Sequence, residues 1–264
     1  MNRIRKALAE NGGRPILGAA LYFYDPIFLE ICAHLGYQAV WIEMEHAPIS
    51  FAQAADLCRM ASGSGMLTMI RIPDTRRENV LKACECGPDI LDVPMVESIE
   101  QVHELRQYAR FLPAGERGYF SVSRAVNYGI VPSVPREQQQ LNDELCLLAQ
   151  IESAAALNIV EKLAAEPDID LFIGPADLAA SLGHPGETGH ADVQAACRRI
   201  VKAARANHKL VATACAQSDY QFFLDLGVDL LYLTNDIACL RAAATQSLNA
   251  AKLLLKAQAP GVAR

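Results

Sequence analysis

Two carboxylates each follow an apolar run and could hold a metal ion. Glu152 ends the run CLLAQIE, and Asp177 follows the run LFIGP. If the two runs are neighbouring strands of a parallel sheet, about 4.8 Å apart, both side chains converge at its carboxyl edge. Such a pair suits Mg²⁺ or Mn²⁺, which prefer hard oxygen ligands. The alternative is that the carboxylates cap the following helices or pair with surface Lys and Arg.

A histidine and an arginine lie at two further strand ends. His46 follows the run AVWIEM, and a histidine is the usual side chain for moving a proton at pH 7. It could equally be hydrogen-bonded at the start of the next helix. Arg71, near the end of LTMIRI, could bind a substrate carboxylate or enolate oxygen through its guanidinium. A salt bridge to Glu43 or Glu45 is the alternative, and both could hold.

The turn before Asp177 could bind an anion. Gly174, Pro175 and Ala176 lead into a helix-like stretch, so the N–H groups of Ala176 and Asp177 lie at a helix start. The chain has no GxGxxG or P-loop spacing, no GxSxG motif, and no lysine at a predicted strand end. Nucleotide binding, serine hydrolysis and Schiff-base chemistry are therefore not favoured.

These residues need a scaffold that brings strand ends together. Eight short aliphatic runs alternate with longer stretches of helical periodicity, a pattern typical of a parallel sheet covered by helices. The runs begin at Ile16, Ala39, Leu67, Ile90, Cys146, Leu171, Leu210 and Leu230. A length of 264 residues without an obvious linker predicts a single α/β domain over residues 1–264, a (β/α)₈ TIM barrel. In that fold the active site lies at the carboxyl ends of the strands.

The longest irregular stretch runs from Phe111 to about Gln138 and interrupts this alternation. A long loop in a compact domain is usually functional, so we expect a lid or a subunit contact there.

Charge and cysteine usage limit the class of protein. The 24 basic residues are scattered among 30 acidic ones, for a net charge of -6, which argues against a nucleic-acid or anionic membrane partner. No stretch approaches the roughly 18 apolar residues of a membrane span. The eight cysteines lack metal-site spacing, and we expect reduced, structural thiols. A cytoplasmic location is the default expectation.

Several motifs together resemble a known family. WIEMEHAP, MIRIP, CGPDILDVPMVESIEQ, PAGERG, AQIES and FIGPADLAASLG occur in this order between about Leu17 and Leu248. They resemble the HpcH/HpaI aldolases, metal-dependent pyruvate aldolases with a TIM barrel of the phosphoenolpyruvate/pyruvate type. QIE followed by GPADL, with EHAP upstream, is the specific part. The resemblance implies reversible cleavage of a 4-hydroxy-2-oxo acid to pyruvate, or a close 2-oxo acid, and an aldehyde.

The resemblance also implies how the 2-oxo acid is held. Glu152 and Asp177 would bind the divalent ion, Mg²⁺ or Mn²⁺ with Co²⁺ as a further option. Arg71 would bind the keto or enolate oxygen, the backbone of residues 174–177 would seat the carboxylate, and Gln150 would line the site beside the metal.

The same resemblance assigns a base. His46, supported by a carboxylate from the helix after the third strand, would activate a water or the aldol hydroxyl, and the supporting position falls at Glu85. The family often has Asp where this chain has Glu43 and Glu85. Each change adds a methylene, so the carboxylate that orients the histidine could lie differently.

Family members assemble as trimers or hexamers in which the last helices pack on a neighbour. The resemblance implies that helices at about 236–258 do so here, and that residues 113–128 approach an adjacent site, with Arg117 or Arg124 contacting an acidic acceptor. A surface loop held by salt bridges is the alternative.

Two rival functions stay open from the sequence. One is a citrate-lyase-like enzyme acting on an acyl-CoA thioester, although scattered basic residues do not suggest a groove for CoA phosphates. The other is a non-catalytic barrel that binds a 2-oxo acid and a metal without turnover.

Overall fold

Eight parallel strands close into a barrel in the computed structural model, which describes residues 2–258. The strands follow chain order, and the last pairs with the first. They are β1 (Ile16–Leu21), β2 (Ala39–Glu43), β3 (Leu67–Arg71), β4 (Ile90–Val93), β5 (Cys146–Ile151), β6 (Asp170–Ile173), β7 (Val211–Ala214) and β8 (Leu230–Asn235). Each predicted run matches one of them to within one residue at its start, so the predicted (β/α)₈ barrel is confirmed.

Helices surround the barrel. They are α1 (Arg3–Glu10), α2 (Pro26–Leu35), α3 (Phe51–Gly63), α4 (Arg77–Glu85), α5 (Ile99–Ala109), α6 (Val134–Glu144), α7 (Ala154–Asn158), α8 (Val160–Ala165), α9 (Pro175–Ser181), α10 (Ala191–Ala206), α11 (Tyr220–Leu226) and α12 (Asp236–Gln258). Serine caps begin α3 and α5, where Ser50 and Ser98 each form a capping box. Gly36 and Gly227 end α2 and α11 in the left-handed conformation, as glycine at that position predicts.

The stretch expected to be irregular contains a helix, so that prediction was partly wrong. Helix α6 begins at Val134, and a short 3₁₀ segment spans Arg124–Gly129. The sequence of α6 is almost wholly polar, and its inward face consists of Gln138 and Asn142. The Asn142 amide binds both the backbone N–H (2.7 Å) and the carbonyl (2.9 Å) of Phe111. Because the buried face of α6 consists of amides, its sequence lacks the apolar periodicity that predicts a helix.

The cysteines are free thiols, as their spacing predicts. All eight cysteines are free, and six of them are buried. Within the described residues no helix is both long enough and apolar enough to cross a bilayer.

An aromatic cluster fills the middle of the barrel. Trp41 packs edge-on against Phe172 and Tyr232, with ring centroids 5.5 and 5.4 Å away. Tyr232 reaches this position because β1 carries Gly18, where the pairing of β1 with β8 shifts register. A Cβ atom at Gly18 would lie 2.5 Å from two carbons of the Tyr232 ring. The floor of the barrel mouth therefore depends on a glycine in a strand.

We expect Gly18→Ala to lower the free energy of unfolding by about 1–3 kcal/mol, because the buried Tyr232 ring has to move. Urea denaturation measures this. The matched control is Gly63→Ala, on an exposed turn of α3 where an added Cβ meets nothing within 4 Å. It should leave stability unchanged or raise it by up to about 1 kcal/mol. Equal stability of the two variants would contradict this account of the core.

Candidate active site

A cavity of about 610 Å³ opens at the carboxyl ends of the strands. It is lined by most of the residues that the sequence singled out. These are His46, Arg71, Gln150, Gly174, Pro175, Ala176 and Asp177. Glu152 lies directly beneath this lining, buried against Gln150 and Gly174. Tyr22 also faces the cavity, whereas Tyr24 is turned outward and bonds to Asp56.

Arg71 is the buried cation of the site. Its Nε lies 2.6 Å from Oε2 of Glu43, and its Nη1 lies 3.1 Å from Oε2 of Glu45. The guanidinium also lies over the Trp41 ring, 4.7 Å from the ring centroid. Both salt bridges foreseen as the alternative are thus present. Since Arg71 still lines the cavity, its remaining donors can reach a ligand there.

Glu43 also shapes the turn that carries His46. Its second oxygen, Oε1, accepts the backbone N–H groups of Glu45 (2.6 Å) and His46 (2.9 Å). The His46 ring is 68% exposed, and its Nε2 lies 3.6 Å from Oε2 of Glu45. An exposed imidazole beside a carboxylate is well placed to exchange a proton with a bound ligand.

Glu85 does not support His46 within one chain. It lies in the last turn of α4, and its Oε1 accepts from Nη2 (2.9 Å) and Nε (3.2 Å) of Arg117. Within residues 2–258 no hydrogen bond or salt bridge joins Glu85 to His46. The reason is topological, since a barrel helix runs antiparallel to the strand before it and ends away from the strand carboxyl ends. The carboxylate beside His46 is Glu45.

The two arginines of the loop, Arg117 and Arg124, both form contacts within their own chain. Arg117 is buried, pairs with Glu85, and stacks on Phe111 with its guanidinium 4.3 Å from the ring centroid. Arg124 donates to three backbone carbonyls in and just after α3 and α4, at 2.9 to 3.2 Å. The Arg117–Glu85 pair corresponds to the alternative of a surface loop held by salt bridges, whereas Arg124 holds the loop through backbone carbonyls.

Glu152 is held tightly beside Gly174. Its Oε1 accepts the N–H of Met95 (2.7 Å), and its Oε2 accepts from Nε2 of Gln150 (2.5 Å). A Cβ atom at Gly174 would lie 2.5 Å from that Oε2, so glycine is required there. Burial raises the pKa of Glu152 to about 7, an effect that the Met95 N–H opposes and nearby Asp177 reinforces.

The donor set at the mouth fits a divalent cation. Four carboxylates accompany the single guanidinium of Arg71, namely Glu43, Glu45, Glu152 and Asp177. In the described part of the chain, the buried Oε1 of Gln150 has no hydrogen-bond partner. A surplus of negative charge together with hard oxygen donors suits Mg²⁺ or Mn²⁺. Glu152 and Asp177 are the residues that would hold the ion, because only these carboxylates of the four are not engaged by Arg71.

Comparison with known proteins gives the family. The model of the HpcH/HpaI aldolase/citrate lyase family matches residues 21–238. The chain belongs to this family. It is 36% identical to a hydroxypyruvate/pyruvate aldolase of Deinococcus radiodurans over 251 residues, which cover 91% of this chain and 89% of that protein. A 2-keto-3-deoxy-L-rhamnonate aldolase of Klebsiella pneumoniae is 34% identical over 232 residues, covering 84% and 86%.

Solved structures agree with this assignment. An HpcH/HpaI aldolase/citrate lyase family protein from Burkholderia cenocepacia superposes with a TM-score of 0.85 at 29% identity, covering 94% of this chain and 98% of that one. The predicted resemblance and fold class are confirmed. As a member of this aldolase family, the protein is a carbon–carbon lyase.

The structure of this HpcH/HpaI family member adds a residue that the sequence reasoning missed. Asp92 is fully buried in β4, in register with Arg71, and its oxygens have no hydrogen-bond partner among residues 2–258. Burial raises its pKa well above the usual value; Arg71 opposes the shift, and Glu152 and Glu43 add to it. The signal was an Asp two residues after Ile90, on the face of β4 that points into the barrel.

We expect Asp92→Asn to become more stable than the wild type as pH rises. A carboxyl whose folded-state pKa lies above its unfolded value stabilises the fold fully only below the unfolded value, near 3.8. That stability is lost as pH rises toward the folded-state pKa, by at most about 1.4 kcal/mol per pH unit. Urea denaturation of both proteins from pH 5 to pH 9 tests this. A variant less stable than the wild type at pH 8 would show that Asp92 is ionised and paired with Arg71.

Proposed function

We propose that this aldolase reversibly cleaves a 4-hydroxy-2-oxo acid into pyruvate, or a close 2-oxo acid, and an aldehyde. The observation that carries the proposal is the buried carboxylate of Glu152 directly beneath the lining of the cavity that Arg71 and Asp177 share. The names of the relatives, a hydroxypyruvate/pyruvate aldolase and a 2-keto-3-deoxy-L-rhamnonate aldolase, support a 2-oxo acid as the substrate class. Mg²⁺ and Mn²⁺ are the proposed ions, with Co²⁺ as a further option.

The residues around the cavity are placed to stabilise the negative charge that develops during the reaction. Cleavage breaks the C3–C4 bond, and its electron pair passes into the enolate of the 2-oxo acid, so negative charge builds on the C2 oxygen. Arg71 stabilises that oxygen, and a bound divalent ion would add Lewis-acid stabilisation of the same charge. The N–H groups of Ala176 and Asp177, at the start of α9, seat the substrate carboxylate.

His46 provides the proton transfer. The C4 hydroxyl has to lose its proton as C4 becomes the aldehyde carbonyl, and His46 is the exposed imidazole that lines the cavity. The carboxylate of Glu45, 3.6 Å from its Nε2, stabilises the imidazolium that forms. In the direction of cleavage, the enolate then takes a proton at C3 and leaves as the 2-oxo acid.

The cavity suits a small anion better than a CoA thioester. Among the described residues that line it, Arg71 is the permanent cation. CoA carries several phosphate charges, which a single guanidinium already engaged by Glu43 and Glu45 cannot neutralise. This observation argues against the citrate-lyase-like alternative.

We infer that the protein is a homo-oligomer, a trimer or hexamer, in which α12 packs on a neighbouring subunit. Residues 236–258 form one helix, and every described side chain from Leu240 to Leu255 is exposed, including several leucines. Helix α2 exposes Ile27, Ile31 and Leu35 in turn. A long helix gains most of its stability from packing an apolar face, so α12 needs a partner surface.

A cytoplasmic location also stays a prediction from composition.

Exchange of the pyruvate methyl protons in D₂O tests the proposal without knowledge of the aldehyde. With Mg²⁺ or Mn²⁺ the methyl signal in ¹H NMR should decay; EDTA should abolish the decay, and added metal should restore it. Glu152→Gln should slow exchange at least about a hundredfold, because the ion supplies several kcal/mol. The control Glu161→Gln changes an exposed carboxylate paired with Arg199 and should leave exchange intact. Exchange that persists in EDTA would refute the metal, and pyruvate binding without exchange would support a non-catalytic barrel.

His46→Gln should lower kcat for cleavage of a 4-hydroxy-2-oxo acid by about 10²–10⁴-fold, because the general base is lost. Pyruvate release, coupled to NADH oxidation by lactate dehydrogenase, measures the rate. The exposed ring should leave the free energy of unfolding within about 0.5 kcal/mol of the wild type. His34→Gln, an exposed change on α2, is the matched control and should keep full activity. Equal rates for the two variants would remove His46 from the mechanism.

A further inference from the structure

Two histidines and an aspartate come together outside the active site, where the loop after α9 leads into α10. The imidazole rings of His184 and His190 stack with centroids 3.5 Å apart and planes 18° apart. Nε2 of His184 lies 3.2 Å from Oδ2 of Asp192, and Nδ1 of His190 lies 3.7 Å from the same oxygen. Each of the three residues offers one ligand atom, and these atoms lie within 4.8 Å of one another.

These separations match the spacing of metal ligands. Zinc binds imidazole nitrogen and carboxylate oxygen at about 2.1 Å in tetrahedral geometry, which places neighbouring ligand atoms about 3.4 Å apart. The distances from Oδ2 of Asp192 to the two imidazole nitrogens, 3.2 and 3.7 Å, lie on either side of that value. Nδ1 of His190 also accepts the N–H of Asp192 (3.3 Å), a hydrogen bond that an ion at this nitrogen would replace. Because the two rings stack with their planes only 18° apart, an ion that lies in the plane of both imidazoles requires one ring to turn about its side-chain bonds.

The loop holds this arrangement without a metal. The N–H of His184 donates to the carbonyl of Ala179 (2.8 Å), and the N–H of His190 donates to the carbonyl of Glu187 (2.9 Å). Between them, the Thr188 hydroxyl donates to Asp219 (2.7 Å), which ties the loop to the segment before α11. Because the backbone is already fixed, binding an ion would order little beyond three side chains.

We propose that His184, His190 and Asp192 form a second cation site, which takes a borderline transition metal such as Zn²⁺ with water completing the coordination. Imidazole ligands favour Zn²⁺, Ni²⁺ or Cu²⁺ over Mg²⁺, which prefers the oxygen-only set at Glu152 and Asp177. The two sites are separate because α9 lies between them, and its seven residues span about 10 Å. The positive end of the α10 dipole disfavours a cation here, and the charge of Asp192 in the first helical turn offsets it.

A bound ion at this position would join the end of α9 to the start of α10. Helix α9 carries Asp177 in its first turn, so the loop is the far anchor of a helix that supplies a proposed active-site ligand. None of the residues of the proposed site lines the active-site cavity, so a bound ion would act on the aldolase only through the position of α9.

Zinc binding to the full chain tests the proposal, measured by equilibrium dialysis against ZnCl₂. The starting protein is the double variant Glu152→Gln, Asp177→Asn, which removes the proposed active-site ligands. We expect it to bind one Zn²⁺ per chain, and a tenfold excess of Mg²⁺ should not displace that ion. Adding His184→Ala and His190→Ala should abolish binding, and adding Asp192→Asn should weaken it at least about tenfold. The matched control is His103→Ala, an exposed histidine with one carboxylate partner, Glu166, and it should bind as before.

Histidine NMR assigns the ligands directly. Zn²⁺ should shift the ring ¹⁵N signals of His184 and His190 and leave that of His103 in place. Unchanged zinc stoichiometry after both histidines are replaced, or displacement of the ion by Mg²⁺, would overturn the proposal. Either result leaves the aldolase proposal intact, because that proposal is tested separately. Its test is pyruvate proton exchange at the active site of a chain that keeps Glu152 and Asp177.

Discussion

The buried ion pair between Glu43 and Arg71 organises the mouth of the barrel. One oxygen of Glu43 holds Arg71 over Trp41, and the other binds the two N–H groups that set the turn of His46. The groups proposed to stabilise the enolate and to move the proton thus share one carboxylate. Removing it would break a buried ion pair, a change that typically costs about 3–5 kcal/mol, and would leave Arg71 with Glu45 as its salt-bridge partner. Substitution at Glu43 should therefore disturb stability and both chemical roles together.

The rest of the site is acidic, and its charge balance supports the proposed cation. Glu152 lies so close to Gly174 that no side chain fits, and burial already raises the pKa of Glu152 to about 7. Beneath Arg71, Asp92 adds a further buried carboxyl without a partner in the described chain. A protein interior tolerates this density of carboxyl groups only if some are protonated or a cation neutralises them. Two further carboxylates, Glu43 and Glu85, are ion-paired with Arg71 and Arg117.

The sequence predicted the strands and the cavity lining because both follow local rules. Buried parallel strands are continuous apolar runs, and their last residues must face the mouth of the barrel. Helix α6 escaped prediction because it packs through amides. Asp92 escaped prediction because it lies inside an apolar strand, whereas the active site of a TIM barrel is expected at the strand ends. The position of Glu85 shows a different limit of prediction. The resemblance assigned Glu85 a role beside His46, whereas within one chain its carboxylate pairs with Arg117. Whether two side chains come into contact depends on the direction of the helices and on how subunits assemble. The spacing of residues along the sequence does not encode either of these.

The two proposed metal ligands are positioned by different means. Glu152 is fixed by its own hydrogen bonds to Met95 and Gln150. Asp177 is exposed, and within residues 2–258 no side-chain hydrogen bond holds it. Its place depends on how α9 packs, through the buried Leu178 and Ala179 and through the loop beyond. A change in that loop should therefore affect the active site by moving Asp177, while Glu152 keeps its place.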